Sequence, residues 1–432
     1  MAVTPSVWQA QEQTNTGDVV DQGDPAIVGL TNGNYVVIWD EAAGGPIGVS
    51  AGRDLVGQIF DFLGNPVGAE FQANQSFVAD DEQDAQVAAL PNGGFAMVYE
   101  DTDAGGTAIR VQVYDAAGVP VVGSPTTIQS DTNADVLSNP QIAARPDGSY
   151  LVTYQRDIDN DGAGGSDDQD IVARFVDAAG NVGAEFLVFG SADDVIIGKV
   201  AALSNGNFVV TSADADDITA ADYDPQFTVI TSAGGFVAGD NFDTGANMQT
   251  DVQVAALDGG GFVGVWTENI AGNEEIRARV YDNAGNPLGA AFTVNTTTTG
   301  QQNEPAITAL SDGGFIVAWD DDNTDIERAQ RFDATGAKVG DEFVAGNTPG
   351  VDEDLVITEL SDGRVLVAYE GEPDAVPAAG DDDILGTIFD PRGVIINGSG
   401  GDDKIAARLE GGRINGLGGN DTMQGFDGDD IL

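Results

Sequence analysis

Two residue types that carry much of enzyme chemistry are missing from this 432-residue chain: it has no cysteine and no histidine. The first absence excludes disulfides, thiol nucleophiles, iron–sulfur clusters and cysteine-built zinc sites. The second excludes a Ser-His-Asp triad, histidine-bound zinc and an imidazole acid or base. Any chemistry must therefore use carboxylates, tyrosine, lysine or a hard metal ion such as calcium.

Positive charge is also scarce, with 16 basic residues against 72 acidic ones and a formal net charge of −56. Nucleic acid and anionic membrane surfaces are excluded as partners, because each phosphate contact requires a lysine or arginine. No apolar run approaches the roughly 18 residues of a membrane span. The start of the chain, residues 1–8, has no basic region or apolar run and is not a Sec-type signal. The hydrophobic share of 41% is enough for a folded core.

A repeat of about 55 residues sets the fold, and it is the size of a propeller blade. A short apolar strand, a glycine turn and an aromatic-led second strand recur seven times. Two further strands follow in each copy, joined by Asp-x-x-Gly turns such as Asp115–Gly118 and Asp282–Gly285. The second strands start at Tyr35, Phe95, Tyr150, Phe208, Phe262, Phe315 and Val365.

This pattern predicts an all-β fold, a seven-bladed β-propeller over residues 1–396. The last copy lacks its outer strand, while Val7–Gln11 stands alone at the start of the chain. We predict that this orphan strand pairs with the last blade and closes the ring, which removes exposed edges. Stacked β-sandwich domains are the alternative, because similar strands can also form them.

Acidic residues concentrate in the loops between the second and third strands and in the links to the next blade, which we expect to be long and to share one face. One interpretation is a solvated face that keeps the protein soluble. The other is a binding face on which cations bridge carboxylates to a partner. The acidic clusters are Asp80–Glu82, Asp214–Asp217, Asp320–Asp322 and Asp381–Asp383.

One of these loops has the spacing of a calcium loop, D-x-[DN]-x-[DN]-G-x5-[DE], with Asp at its last position. Its carboxylates would converge on an ion as the chain curls, and a glycine permits the sharp turn. The alternative is an ordinary acidic hairpin loop. The predicted ligands are Asp157, Asp159, Asp161, the carbonyl of Ala163 and Asp168.

From Gly398 the chain adopts a nine-residue period, with similar units starting at Gly398, Gly416 and Gly425. These units resemble the calcium-binding nonapeptide of the RTX (haemolysin-type) family. The resemblance implies a second domain, residues 397–432, folded as a short parallel β-roll. Turns 18 residues apart stack on one side of such a roll. The implied calcium-site residues are Gly398, Gly401, Asp403, Gly416, Gly419, Asp421, Gly428 and Asp430.

The same resemblance implies calcium as the cofactor, export by a type I secretion system and an extracellular location. The array stops in mid-repeat at Leu432, which favours a truncated chain.

For function, we expect a non-catalytic, calcium-stabilised binding or adhesion module that presents its propeller to an extracellular glycan or protein. The reason is that the visible carboxylates lie in glycine-rich loops, where solvent should keep them ionised, and no carboxylate pair stands out. Two alternatives remain open. One is a secreted hydrolase or lyase that uses carboxylates or a metal in the propeller channel, and the other is a structural component of a surface layer or filament. The fold alone does not decide among them.

Overall fold

The computed structural model describes residues 5–15, 20–45, 47, 52–74, 81–103, 106–121, 125–131, 137–157, 169–190, 195–215, 223–243, 247–324, 326–346, 353–371, 382–393, 395–399, 401–409, 413–426 and 431. Every helix or strand element in these ranges is a β-strand. Within them, no helix long and apolar enough to cross a bilayer occurs.

Seven four-stranded antiparallel sheets form the blades of a propeller, as the repeat predicts. Blade 1 contains β2 (Gln22–Gly29), β3 (Tyr35–Glu41), β4 (Asp54–Phe60) and β5 (Phe71–Gln72). Blade 2 contains β6 (Asp81–Ala89), β7 (Phe95–Asp103), β8 (Gly106–Tyr114) and β9 (Thr126–Asp131). Blade 3 contains β10 (Leu137–Ala144), β11 (Tyr150–Asp157), β12 (Gln169–Val176) and β13 (Phe186–Phe189). Blade 4 contains β14 (Val195–Ala202), β15 (Phe208–Ala215), β16 (Tyr223–Ile230) and β17 (Phe236–Asn241).

The remaining blades repeat this order. Blade 5 contains β18 (Gln249–Ala256), β19 (Phe262–Ile270), β20 (Asn273–Tyr281) and β21 (Phe292–Thr293). Blade 6 contains β22 (Gln302–Ala309), β23 (Phe315–Asp321), β24 (Ile326–Phe332) and β25 (Phe343–Val344). Blade 7 contains β26 (Glu353–Glu359), β27 (Val365–Gly371), β28 (Asp383–Asp390) and the first strand of the chain, β1 (Ser6–Gln13).

The ring is closed by β1, which confirms the prediction made for Val7–Gln11. It pairs antiparallel with β28, from Ser6 opposite Asp390 to Gln13 opposite Leu385. The innermost strands contact one another in sequence from blade 1 round to blade 7, and β26 contacts β2 again. The innermost strands therefore surround one central channel.

The hydrophobic core lies between neighbouring blades. The second strand of each blade is buried because it has sheet neighbours on both edges and a neighbouring blade on each face; all seven residues of β3 are buried. Aromatic rings pack against each other within blades and between neighbouring blades. Within blade 2, for example, Phe95 stacks on Tyr114 with ring centres 4.7 Å apart. Side chains from both blades 1 and 2, including Ile38 and Tyr99, share one such cluster.

The loops between second and third strands are less uniform than expected. In blades 2, 5 and 6 these connections are short; in blade 5, for example, β19 ends at Ile270 and β20 begins at Asn273. Several acidic residues expected to be solvated are buried where strands end, among them Glu82, Asp321 and Asp383. The prediction of uniformly long, solvated acidic loops is therefore wrong for these parts of the face.

The C-terminal segment (residues 395–431) contains β29 (Ile395–Asn397), β30 (Lys404–Ala406), β31 (Arg413–Asn415) and β32 (Thr422–Gln424). Strand β29 pairs parallel with β31, and β30 pairs parallel with β32, each with partners 18 residues apart. This offset equals two nonapeptides. Ile396, Ile405, Ala407 and Ile414 form its small core.

Candidate active site at the mouth of the channel

Six blades carry the same β-bulge near the start of the innermost strand. In blade 1, Gly23 pairs with Asp40 and Ala26 pairs with Ile38, so two residues lie opposite one. The first bulge residue has a left-handed φ between 48° and 56° in all six blades. Asp and Asn tolerate this backbone region better than most L-residues. We call these residues the inner ring: Asp24, Asp84, Asn139, Asp251, Glu304 and Asp354.

In each of these six blades, one residue of the second strand pairs with the innermost-strand residue that precedes the bulge. We call these six second-strand residues the outer ring: Asp40, Glu100, Gln155, Thr267, Asp320 and Glu370. In blade 3 the two rings meet through a hydrogen bond of 2.5 Å from Asn139 Nδ2 to Gln155 Oε1. In blades 7, 1 and 2 the same relationship sets carboxyl groups beside each other.

A cavity of about 610 Å³ occupies the channel at this level. Five inner-ring carboxyl groups line it, together with three glutamines and Lys199, the one basic residue among the described residues of its wall. The inner-ring members in the wall are Asp24, Asp84, Asp251, Glu304 and Asp354, and the glutamines are Gln86, Gln141 and Gln253.

Glu100 and Asp84 form a carboxyl pair. Burial, followed by the charge of the neighbouring Asp84, raises the pKa of Glu100 to about 7. Burial and the charge of Asp24 also raise the pKa of Asp84, while its hydrogen bond with Glu100 lowers it. Glu100 Oε1 accepts a hydrogen bond from Thr102 at 3.3 Å, whereas Oε2 is buried with no N–H or O–H donor among the described residues. A proton on Glu100, shared with Asp84, satisfies this oxygen.

Two further outer-ring acids have raised pKa values. Burial, followed by the charges of Asp354 and Asp382, raises the pKa of Glu370 to about 8. The Glu370 carboxyl lies so close to the backbone of Gly23 that a Cβ there would collide with it. Burial also raises the pKa of Asp40 well above its usual value, followed by the charge of Asp24, and an Arg53 nitrogen 3.8 Å away opposes this.

Lys199 reaches from blade 4 to blade 2, where Nζ donates a 2.7 Å hydrogen bond to Gln86 Oε1. Burial lowers the pKa of Lys199, the charges of Asp354 and Asp84 oppose this, and the resulting pKa is about 8. The channel therefore combines carboxyl groups with raised pKa values and one amino group with a lowered pKa. Shifts of this kind are what acid–base catalysis requires.

No protein-family model matches the chain, and no curated protein matches it in sequence. Solved structures of low identity share its propeller fold. A protein of unknown function from Dyadobacter fermentans is 13% identical with a TM-score of 0.53, covering 90% of this chain and 99% of that one. An ulvan lyase of polysaccharide lyase family 25 is 12% identical with a TM-score of 0.51, covering 73% and 80%. The GH93 α-L-arabinofuranosidase of Fusarium graminearum, solved with arabinobiose, is 11% identical with a TM-score of 0.50, covering 89% and 97%.

The prediction of a non-catalytic binding or adhesion module, and with it the absence of enzyme activity, is contradicted. It rested on solvated carboxylates and on the lack of a carboxylate pair, whereas the buried Glu100 and Asp84 are such a pair and Asp84 lines the cavity. The similar propellers whose activity is stated are a lyase and an arabinofuranosidase. A structural role in a surface layer or filament has no support in this site.

The predicted calcium loop falls mostly outside the described residues. Asp157 ends β11, with its backbone opposite Gln169, and its side chain is not described. The other predicted ligands, Asp159, Asp161, Ala163 and Asp168, lie outside the described ranges. This site stays a prediction.

The nonapeptide residues are partly described. Asp403 and Asp421 lie on neighbouring turns, and the backbone N–H of Asp403 donates to Asp421 Oδ1 at 3.1 Å. Asp403 Oδ2 accepts a hydrogen bond of 2.7 Å from the N–H of Ser399. Gly398, Gly401, Gly416 and Gly419 are described beside them, whereas Gly428 and Asp430 are not. Within the described part of the chain, no group of three or more acidic residues is placed to hold one metal ion.

The inner ring was missed from sequence although a signal for it is present. Each member lies eleven residues before the first residue of the next strand, as Asp24 does before Tyr35 and Asp84 before Phe95. Blade 4 has Ile197 at this position, and its bulge comes one residue later, opposite Thr211. In six of the seven repeats a polar residue therefore recurs at a fixed offset before the second strand, and five of these six residues line the cavity.

Proposed function

We propose that this protein is a glycoside hydrolase that cleaves glycosidic bonds at the channel mouth. The observation that carries the proposal is the Glu100–Asp84 pair: Asp84 lines a cavity of about 610 Å³, and the buried Glu100, whose pKa is raised, lies behind it. Hydrolysis of a glycosidic bond requires one carboxylic acid to protonate the leaving oxygen and one carboxylate to act as base or nucleophile. Asp84 is the member of the pair that faces the substrate, and Glu100 shares a proton with it.

A glycan substrate is supported by the similar propellers, since the ulvan lyase and the arabinofuranosidase are carbohydrate-cleaving enzymes by name. Their likeness concerns the fold, so the residues of the channel carry the argument for chemistry.

The charge of the channel favours hydrolysis of an uncharged glycan over elimination from an anionic one. Five inner-ring acids and one lysine line the cavity. A lyase acting on uronic acids must bind a carboxylate in its substrate, and a wall with five acidic residues and one lysine disfavours a second anion there. An uncharged sugar can instead accept and donate hydrogen bonds with the carboxyl groups and with Gln141 or Gln253.

The test is a panel of uncharged polysaccharides, including arabinan, xylan and galactan, beside the anionic ulvan, alginate and pectate. Reducing ends report hydrolysis, and the ultraviolet absorbance of unsaturated products reports elimination. We expect hydrolysis of an uncharged member, with a loss of about 100-fold or more in Glu100→Gln and in Asp84→Asn. Glu12→Gln, which neutralises an exposed acid of β1, is the matched control.

Two results would overturn the proposal. One is an absence of cleavage across the panel by the folded protein between pH 5 and 8. The other is a Glu100→Gln variant as active as Glu12→Gln. Unsaturated products from an anionic member would replace hydrolysis with elimination.

We also propose that calcium binds the C-terminal segment. Asp403 Oδ2 and the carbonyl oxygen of Gly416 both approach the point where a Cβ on Gly398 would lie, at 2.6 and 2.8 Å. A glycine thus opens a space that carboxylate and carbonyl oxygens line, and calcium prefers such donors. Membership of the RTX family, type I export and an extracellular location are part of this proposal, because they rest on the same nonapeptides.

Calorimetry with calcium chloride tests this second proposal on the full chain. We expect binding to the wild type, weakened at least tenfold in Asp403→Asn and Asp421→Asn and unchanged in Glu12→Gln. An equal heat signal in all four proteins would refute a site in this segment.

A further inference from the structure

Lys199 departs from the pattern of its position in the repeat. The residue nine places before the second strand is a glutamine in blades 2, 3 and 5 and a small apolar residue in blades 1, 6 and 7. In blade 4 it is Lys199, and all seven of these residues line the cavity. Blade 4 therefore contributes a cation where the other blades contribute an amide or a small apolar side chain.

The backbone of blade 4 is built to present this side chain. Its bulge is displaced by one residue to Gly198 and Lys199, opposite Thr211. The Thr211 hydroxyl accepts a 2.8 Å hydrogen bond from the N–H of Lys199 and donates one of 3.1 Å to its carbonyl oxygen. Gly198 leaves no room for a Cβ, because the Thr211 hydroxyl and the carbonyl oxygen of Val252 lie against it.

The far end of the side chain is also fixed, by the 2.7 Å hydrogen bond to Gln86 of blade 2, two blades away around the channel. No carboxylate oxygen of the described residues lies within ion-pair distance of the ammonium, although Asp84 and Asp354 are the charges that act on it. The other acids of the same wall are Asp24, Asp251 and Glu304. Arg53 does not line the cavity; it acts on Asp24 and Asp40, and its charge also lowers the pKa of Asp84.

We propose that Lys199 is a positioning residue which holds the inner carboxylates Asp84 and Asp354 ionised, so that the proton of each carboxyl pair rests on Glu100 or Glu370. The inference rests on the proposed function, because it assigns acid and base within the same pairs. Asp84 and Asp354 line the same cavity as Lys199, whereas Glu100 and Glu370 do not, so a positive charge fixed in this cavity favours the ionised form of the inner carboxylates. The outer carboxyl group of each pair, behind the inner carboxylate, keeps the proton.

The test is a titration of ¹³C-carboxyl-labelled glutamate, followed by NMR in the full-length protein. Glu100→Gln and Glu370→Gln identify the two resonances. Lys199→Gln introduces the residue that blades 2, 3 and 5 carry at this position, so the fold should tolerate it. We expect the Glu100 midpoint to rise by about 1 pH unit in Lys199→Gln, because the pair loses a stabilising cation.

The chain has only three lysines, which provides close controls. Lys338→Gln removes the same charge from the hairpin between β24 and β25, and Lys199→Arg keeps a cation in the channel. Both variants should leave the Glu100 midpoint within about 0.3 pH units of the wild type. Lys338→Gln removes a charge that is distant from Glu100, and Lys199→Arg retains the positive charge in the channel. Equal midpoints in Lys199→Gln and Lys338→Gln would overturn the proposal.

The readout is separate from catalysis. A shifted midpoint without cleavage of any glycan supports the role of Lys199 and refutes the hydrolase. With cleavage, both limbs of the pH–rate profile should move upward in Lys199→Gln, and a profile that only loses height would contradict the inference.

Discussion

The indole nitrogen of Trp8 donates a 3.2 Å hydrogen bond to the carbonyl oxygen of Ala407, joining the first strand to the C-terminal segment. The guanidinium of the buried Arg364 lies 3.9 Å from the centre of the same ring. The Phe426 ring packs against the indole in a T-shaped arrangement, with ring centres 5.4 Å apart. Arg364 in turn pairs with Asp362 at 2.9 Å. Blade 7, the closing strand and the C-terminal segment thus share one buried indole.

Replacing Trp8 with alanine should therefore weaken ring closure. We expect the free energy of unfolding to fall by about 3–5 kcal/mol, because a large buried aromatic side chain leaves a cavity. Trp8→Phe keeps much of the packing but loses the hydrogen bond, and should cost about 1–2 kcal/mol beyond its smaller volume. Urea denaturation followed by circular dichroism measures both. Equal stability of Trp8→Ala and the wild type would mean that closure does not depend on this ring.

Stability should decrease as the pH rises from about 5 to 8, since the relevant carboxyl groups are more basic in the folded protein than in the unfolded chain. The pKa of Glu100 is raised to about 7 and that of Glu370 to about 8, so their contribution is complete below about pH 4.5 and is lost through these values. Glu100 alone should account for about 2 kcal/mol of this loss.

Thermal unfolding at pH 5 and pH 8 tests this dependence. Glu100→Gln should be less sensitive to pH than the wild type, and the double variant with Glu370→Gln less sensitive still. Glu12→Gln should behave as the wild type. Part of the slope should persist in the double variant because burial raises the pKa of Glu359, at the other end of blade 7, to about 7. An identical slope in the wild type and the double variant would disprove the assignment.

The inner ring can be tested through its backbone at Asp251, an exposed member with a φ of 54°. Asp251→Gly and Asp251→Asn should unfold within about 0.5 kcal/mol of the wild type, because both residues accept left-handed φ. Asp251→Val should cost about 1–2 kcal/mol, because a β-branched residue is strained there. Denaturant titration of the three variants gives the comparison. If Val is tolerated as well as Asn, the bulge is not constrained by its backbone.

The blades could be predicted from sequence because each one repeats a local signal. The apolar run before Tyr35 and the Asn-Gly turn between the strands depend only on neighbours in the chain. The orphan strand at Val7 was predictable for a related reason, since a ring of such blades leaves one place for it.

The site was not predictable in the same way, because its properties arise from contacts between strands that are separated in sequence, within a blade and between blades. Glu100 reads as one acid among 72, and its raised pKa depends on burial and on Asp84. Whether two acids meet depends on a bulge, which inserts a residue without changing the apolar pattern around it. Lys199 likewise looks like an isolated charge in the sequence, because its hydrogen bond to Gln86 joins strands of two different blades.

The pairing of Ser6 with Asp390 also constrains the order of assembly. During synthesis the first strand is made almost four hundred residues before its partner, so it must wait as an unpaired edge while blades 1 to 6 form. Closing so long a loop is slow relative to forming a hairpin between adjacent strands. Folding should therefore end with blade 7, and an open six-bladed arc should be the last species before the native ring.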